Sequence, residues 1–295
     1  MKGIREIKQR IRAVKNTAKI TRAMQLVAAS KMKRAQDTAE RGRDYALLLA
    51  ELLGSLVEKV GEVSHPLVDR RLIKRRGLLL VSTERGLCGA LNANLNRLVA
   101  NDVPKEAAFV SIGRKGTQFL TRSRRELLAD FSVSDQPSFA QVRPAVEYLL
   151  KAYQEERIDS IDVAYTRYIN TLRQEPVIVP LVPLFDLNEH LEELVRRLGV
   201  DDPAALAIDD TRDMIFEPDP KTLLAELPAL FIKQEVYQFV LEAKASEHSA
   251  RMVAMKSATD NAKGLIDDLT LEYNKARQAA ITQEILEISA AAQFN

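Results

Sequence analysis

The sequence predicts an α/β protein: a long antiparallel coiled coil of N- and C-terminal helices with an α/β domain inserted between them. Three patterns predict it. Met252, Met255, Thr259, Ala262, Ile266, Leu269, Tyr273, Ala276 and Ala280 alternate three and four residues apart, the seam of a helix that needs a partner. Ile4, Ile7, Ile11, Val14 and Ala18 repeat that spacing at the other end of the chain. Between the two, short apolar runs alternate with helical windows, the order expected of a largely parallel sheet with crossover helices.

From Ile4 to about Val60 there is no proline, and the helix formers Ala, Leu, Arg, Lys, Gln, Glu and Met dominate. At 1.5 Å per residue this predicts a helix of roughly 80 Å. Gly42, Gly54 and Gly61 predict a bend or break in its distal half, and Ser64-His65-Pro66 stops it. The N-terminal coiled-coil helix is accordingly assigned to residues 1–65. Apolar runs at Gly77–Ser82, Ala107–Ile112, Leu127–Val133, Ile161–Ile169 and Val177–Leu184 predict strands. Helical windows at Ala90–Asn101, Lys115–Thr121 and Phe139–Tyr153 complete a small Rossmann-like domain over residues 73–185.

Residues 186–220 are polar and punctuated by proline, which predicts a connector holding a short helix near Glu189–Leu198. The C-terminal coiled-coil helix is assigned to 221–295, with Pro228 early and Gly264 as its later interruption. From Pro228 onward it reaches roughly 100 Å. After Ala280 the apolar phase slips by one residue to Ile281, Ile285, Ile288 and Ala292, and beyond Glu287 no side chain is charged. An apolar stripe with nothing nearby to cover it does not stand alone in water, so the terminal helices are expected to cover each other, antiparallel. Seam positions rich in Ala, Thr and Met predict close packing of modest strength.

Composition excludes several classes. The chain has 295 residues, 46% hydrophobic and 28% charged, enough for one large or two ordinary domains. Its net charge of +2 conceals a local imbalance. Lys2, Arg5, Lys8, Arg10, Arg12, Lys15, Lys19, Arg22, Lys31, Lys33 and Arg34 face Glu6 alone before residue 37. Three readings of that face stay open: a solvated helix surface, an acidic protein partner, and a nucleic acid. The absence of any aromatic residue before Tyr45 and of tryptophan anywhere weakens the third. Basic, acid-poor character also imitates a mitochondrial presequence, but the heptad runs straight into it, as expected of a working part of the fold. No stretch approaches the ~20 apolar residues of a membrane span, so membrane association is expected only through partners. The single cysteine, Cys88, excludes an internal disulfide framework.

No motif points to catalysis. Arg85-Gly86-Leu87-Cys88-Gly89 lies between a strand and a helix, where phosphate-binding turns occur, yet lacks the Lys-Ser or Lys-Thr of a P-loop. A tight turn is the simpler reading, as it is for Gly113-Arg114-Lys115-Gly116. His65, His190 and His248 have no ligand spacing, so neither metal nor cofactor is expected.

Two terminal stretches carry a family resemblance. Ile11-Arg12-Ala13-Val14-Lys15-Asn16-Thr17-Ala18-Lys19-Ile20-Thr21-Arg22-Ala23-Met24, with Val27 to Met32, resembles the N-terminal helix of the gamma subunits of F-type ATP synthases. Ser246 to Met255, Ala258 to Ala262, and Tyr273 to Ile285 resemble that family's C-terminal segments, and Arg85 to Gly89 and Ile169-Asn170-Thr171 its central landmarks. The pattern departs at Glu84 for the usual Asp, at Ala90 for a common Gly, and at Ala291 for the Gly of the tail. No insert carries a cysteine pair. The resemblance implies a non-catalytic rotor, one copy inside a ring of three alpha and three beta subunits. It implies a base attached to epsilon and the membrane c-ring, on the cytoplasmic side of a bacterial membrane. It further implies that Met24, Arg277, Gln278, Thr282, Glu284 and Glu287 serve coupling to the ring, with Lys8, Arg10, Lys31 and Lys33 on the basic face toward acidic loops of the ring.

Overall fold

The computed structural model describes residues 2–60, 65–69, 71–184 and 217–293. The helix expected near 189–198 lies outside them. In chain order the elements are α1 (Lys2–Val60), β1 (Arg76–Val81), α2 (Leu91–Asp102), β2 (Ala108–Ile112), α3 (Arg114–Arg122), β3 (Glu126–Phe131), α4 (Phe139–Gln154), β4 (Ser160–Tyr168), β5 (Gln174–Val182) and α5 (Pro220–Gln293). Contacts group the chain into two compact units, Met1–Ala29 with Arg251–Asn295, and Ser30–Ala250.

The second unit is built on a five-stranded sheet of order β3-β2-β1-β4-β5. The first four strands run parallel and β5 returns antiparallel to β4. Central β1 is apolar on both faces because both are covered. Leu78 and Leu80 pack with Leu95 and Val99 of α2 and Leu120 of α3. Leu79 and Val81 point the other way, into a core shared by α4, by Leu49, Leu53 and Leu56 of α1, and by Phe231, Ile232 and Val236 of α5. This unit is therefore three layers, and the long helices supply part of one of them. Edge strand β5 carries Pro176 and Pro180, which lack the N–H that would recruit another strand.

Charged groups tie its corners. Asp162 on β4 is 5% exposed and receives two bonds from the Arg76 guanidinium on β1, at 2.9 and 2.6 Å. Burial nevertheless pushes its carboxyl above the usual carboxylate range, with Arg76 offsetting part of the rise. Arg125 donates to the carbonyls of Ala100, Val103 and Pro104 at the end of α2, over the ring of Phe109.

Of the bend or break expected in the distal half of α1, no break occurs at Gly42 or Gly54: the helix is continuous from Lys2 to Val60, and Gly61 lies outside the described residues. At Gly42 the missing side chain admits Gln238 of α5, so that glycine serves close approach between helices rather than a break. α5 likewise continues through Pro228. Leu224, Phe231 and Ile232 are buried on either side of it, and that packing holds the helix where one backbone bond is lost.

Candidate functional site

The first unit is a two-helix pair whose register can be worked out residue by residue. The Thr21 and Thr259 hydroxyls lie 2.7 Å apart across it. In an antiparallel pair with equal rise, residues level with one another then have numbers adding to 280. Seven further pairs of buried or half-buried positions obey that rule: Ile4 with Ala276, Ile7 with Tyr273, Ile11 with Leu269, Val14 with Ile266, Ala18 with Ala262, Gln25 with Met255, and Ala28 with Met252. From Ile4 to Ala18 and from Met255 to Ala276 these positions are less exposed than most of their neighbours, so the three-four spacing of the sequence is the seam itself. Large faces small at Ile4–Ala276 and Ala28–Met252, whereas Ala18–Ala262 and Thr21–Thr259 form a narrow waist.

The same register says where pairing ends. Lys2, the first residue of α1, lies level with Gln278, so α5 runs on from Ala279 to Gln293 without α1 beside it. From Ile281 that stretch extends about 20 Å at 1.5 Å per residue. Three of its apolar side chains face outward, Ile281 47%, Ile285 60% and Ile288 70% exposed. A protein in water does not ordinarily leave such a row uncovered.

Ten residues were expected at partner contacts, and the structure distributes them unevenly. Lys8 and Arg10 are exposed on α1, Arg10 reaching Glu6 at 3.2 Å. Met24 is half-buried beside the seam. Arg277 and Gln278 are exposed on the last paired turn of α5. Thr282, Glu284 and Glu287 are exposed on the unpaired part, where Thr282 donates to the Gln278 carbonyl at 2.9 Å and Glu287 accepts from Gln283 at 3.1 Å. Lys31 and Lys33 belong to the second unit. Lys31 is turned to Asp135, in the turn between β3 and α4, and that hydrogen bond holds the Asp135 carboxyl below its usual range. Lys33 pairs with Asp37 one turn on, which raises its pKa.

Sequence spacing missed a second stripe. Ile20 and Val27, seven residues apart and 60% and 54% exposed, flank exposed Ala23 on the outer face of α1 next to Met24. The signal was present as an apolar residue one position out of the seam at each end of the heptad.

The Gly113–Gly116 turn does not leave the amides of Lys115 and Gly116 open at the start of α3. Lys115 N–H donates to the Thr83 carbonyl at 3.0 Å, and Gly116 N–H to Ser82 Oγ at 2.7 Å. Leu87 and Gly89 take positive φ of 64° and 60°, which explains a glycine at the second position. Among the described residues no helix is long and apolar enough to cross a membrane, and no group of His, Cys, Asp and Glu is placed to hold a metal.

Solved chains share this fold, among them the following three. One, from the mitochondrial ATP synthase of Euglena gracilis in a structure of its OSCP, F1 and c-ring, matches with a TM-score of 0.68 at 19% identity over 99% of this chain and 94% of that one. A rotor structure of the same enzyme gives 0.62 at 20% identity over 95% and 99%. The central stalk and c-ring structure from Tetrahymena thermophila gives 0.57 at 23% over 81% and 99%. In sequence, the ATP synthase gamma chain of Opitutus terrae is 53% identical over 100% of this chain and 99% of its own length. That of Methylacidiphilum infernorum is 43% identical over 99% and 98%. The ATP synthase family model matches residues 3–293. With that match and those identities spanning the coiled coil and the sheet alike, the chain belongs to the ATP synthase gamma chain family.

Proposed function

We propose that this chain is the central shaft of a rotary ATP synthase, a non-catalytic subunit present in one copy inside a ring of three alpha and three beta subunits. Its base is held by epsilon and the membrane c-ring, on the cytoplasmic side of a bacterial membrane, and it takes no cofactor. The observation that carries the reading is the end of α5, a single helix that outruns its partner and displays Ile281, Ile285 and Ile288 outward. Such a tip is suited to turning inside an apolar sleeve. Below it, Lys8 and Arg10 offer charge to acidic loops of the ring, and Ile20, Met24 and Val27 offer an apolar stripe along α1.

One-sidedness is the physical requirement. A shaft that touched each beta subunit equally would shift none of them, because only a difference in contact free energy moves a conformational equilibrium. Coupling is reciprocal at equilibrium, so nucleotide occupancy biases shaft angle as shaft angle biases nucleotide affinity. Arg277, Gln278, Thr282, Glu284 and Glu287 sit where the exposed face passes from the pair to the single helix, the level at which the ring is proposed to grip it. Reconstitution tests the proposal. Membranes carrying the remaining subunits without this chain are expected to make no ATP from an ion gradient, and adding it back restores synthesis. Gradient-driven synthesis in its absence, or ATP turnover by the purified chain, contradicts the proposal.

A further inference from the structure

Open parallel sheets receive ligands in the crevice beyond the carboxyl ends of their strands, where the strand order reverses. In the order β3-β2-β1-β4-β5 that place lies between β1 and β4. Here the chain fills it with its own helix. Val240, Lys244 and Glu247 of α5 face Ser82, Thr83 and Thr166 at the strand ends, around a cavity of about 10 Å³. That is the space open to the centre of a single water-sized sphere, enough for one water and too little for a larger ligand.

The lining has unused hydrogen-bonding capacity at two points. Lys244 is 3% exposed and its Nζ donates to Glu247 Oε2 at 3.1 Å, one bond for an ammonium that carries three donors. Thr166 is 3% exposed and its Oγ1 meets no partner within the protein. The neighbouring hydroxyls are engaged: Ser82 Oγ with the carbonyls of Ile112 and Gly113 and with Gly116 N–H, and Thr83 Oγ1 with the Arg85 carbonyl and Asn92. Leaving a buried cation underbonded is costly, and a hydroxyl beside it in a polar, water-sized space is what an internal water needs.

We propose that one internal water bridges Lys244 Nζ and Thr166 Oγ1, and that this bridge, with the Lys244–Glu247 pair, keys α5 into the carboxyl edge of the sheet. The crevice that elsewhere takes a ligand becomes a polar joint, through which load applied to the sheet passes to the helix. The mechanical half rests on the shaft function proposed above; the water does not.

Two measurements separate the halves. A structure of the full chain or the assembled complex that resolves waters is expected to show one peak within hydrogen-bond distance of both Lys244 Nζ and Thr166 Oγ1. A dry cavity, or a direct Lys244–Thr166 bond, overturns the proposal. Thr166→Val keeps the side-chain volume and removes the hydroxyl. With the bridge in place it lowers the melting temperature of the full chain by about 2–4 °C, and Thr166→Ser recovers part of the loss. A Val variant as stable as the parent, or more so, overturns it too, since that is the result of deleting an unbonded hydroxyl. In the reconstituted enzyme the Val variant is expected to lower ion pumping per ATP hydrolysed. An unchanged ratio alongside a lowered melting temperature overturns the mechanical half alone.

Discussion

The register of the helix pair can be tested at the Thr21–Thr259 rung by a double-mutant cycle. Thr259 is 3% exposed, and its hydroxyl donates to the Met255 carbonyl at 2.8 Å while lying 2.7 Å from Thr21 Oγ1. Thr21 Oγ1 lies also 3.1 Å from the Ala18 carbonyl. Two protons serve three contacts. The Met255 contact of Thr259 is the shorter of the two local ones, 2.8 against 3.1 Å, so Thr259 is assigned to Met255 and Thr21 to the bond across the interface. Thr259→Val removes the acceptor and leaves Thr21 its local carbonyl, costing about 1 kcal/mol for one net hydrogen bond. Thr21→Val costs about 0.5–1 kcal/mol, since Thr259 remains satisfied within its own helix. The double Val rung loses that one bond once rather than twice and keeps both β-branched shapes. It is expected to be about 0.5–1 kcal/mol more stable than the two singles predict. Denaturant titration followed by far-ultraviolet circular dichroism measures it, with Thr17→Val plus Thr259→Val as the control, because Thr17 is exposed off the seam. Additivity within about 0.3 kcal/mol at the proposed rung, or equal coupling in the control, refutes the register.

Other expectations follow from the same geometry. Truncation after Ala280 keeps every residue of the seam and should leave the pair's stability unchanged, whereas truncation after Glu272 uncovers Ile4 and Ile7 and should cost about 1–3 kcal/mol in the same titration. Gly264 is exposed within α5 with open space around it, so Gly264→Ala should stabilise by up to about 1 kcal/mol. Gly113→Ala should instead destabilise markedly in thermal melts, because φ is +99° and the added carbon meets the Ser82 hydroxyl at 2.8 Å. The Asp135 carboxyl is held below its ordinary value by Lys31, so its charged form stabilises the fold above that ordinary value and the contribution is lost as pH falls through the folded one. Asp135→Asn should therefore be less stable than the parent at neutrality and converge with it in acid, read as melting temperature against pH.

What the sequence showed and what it hid have physical reasons. The seam was legible because each helix meets one partner along one stripe, which leaves a three-four rhythm from Ile4 to Ala28 and from Met252 to Ala276. The strands were legible because the central ones are covered on both faces and read as unbroken apolar runs, as in Leu78–Val81. Gly42 misled because helix propensity is local, while its role is set by Gln238, nearly two hundred residues away. Lys244 and Glu247, three apart on a helix, look like a surface pair, yet the strand ends bury both. Lys31 reads as one more member of the basic face, and only the fold brings Asp135 to it. The exposed tip was legible as an uncharged end, but the point where it parts from α1 came from the register.

Rotation is the most direct test of the shaft. Cys88 is buried, so Gln118→Cys on the exposed face of α3 gives a selective place for a fluorescent or bead probe. In complexes immobilised through the surrounding ring, the probe is expected to turn in one direction, in discrete steps, while ATP is hydrolysed, and to stop when ATP is withdrawn. A probe that stays at one angle while the same complexes hydrolyse ATP would contradict the account.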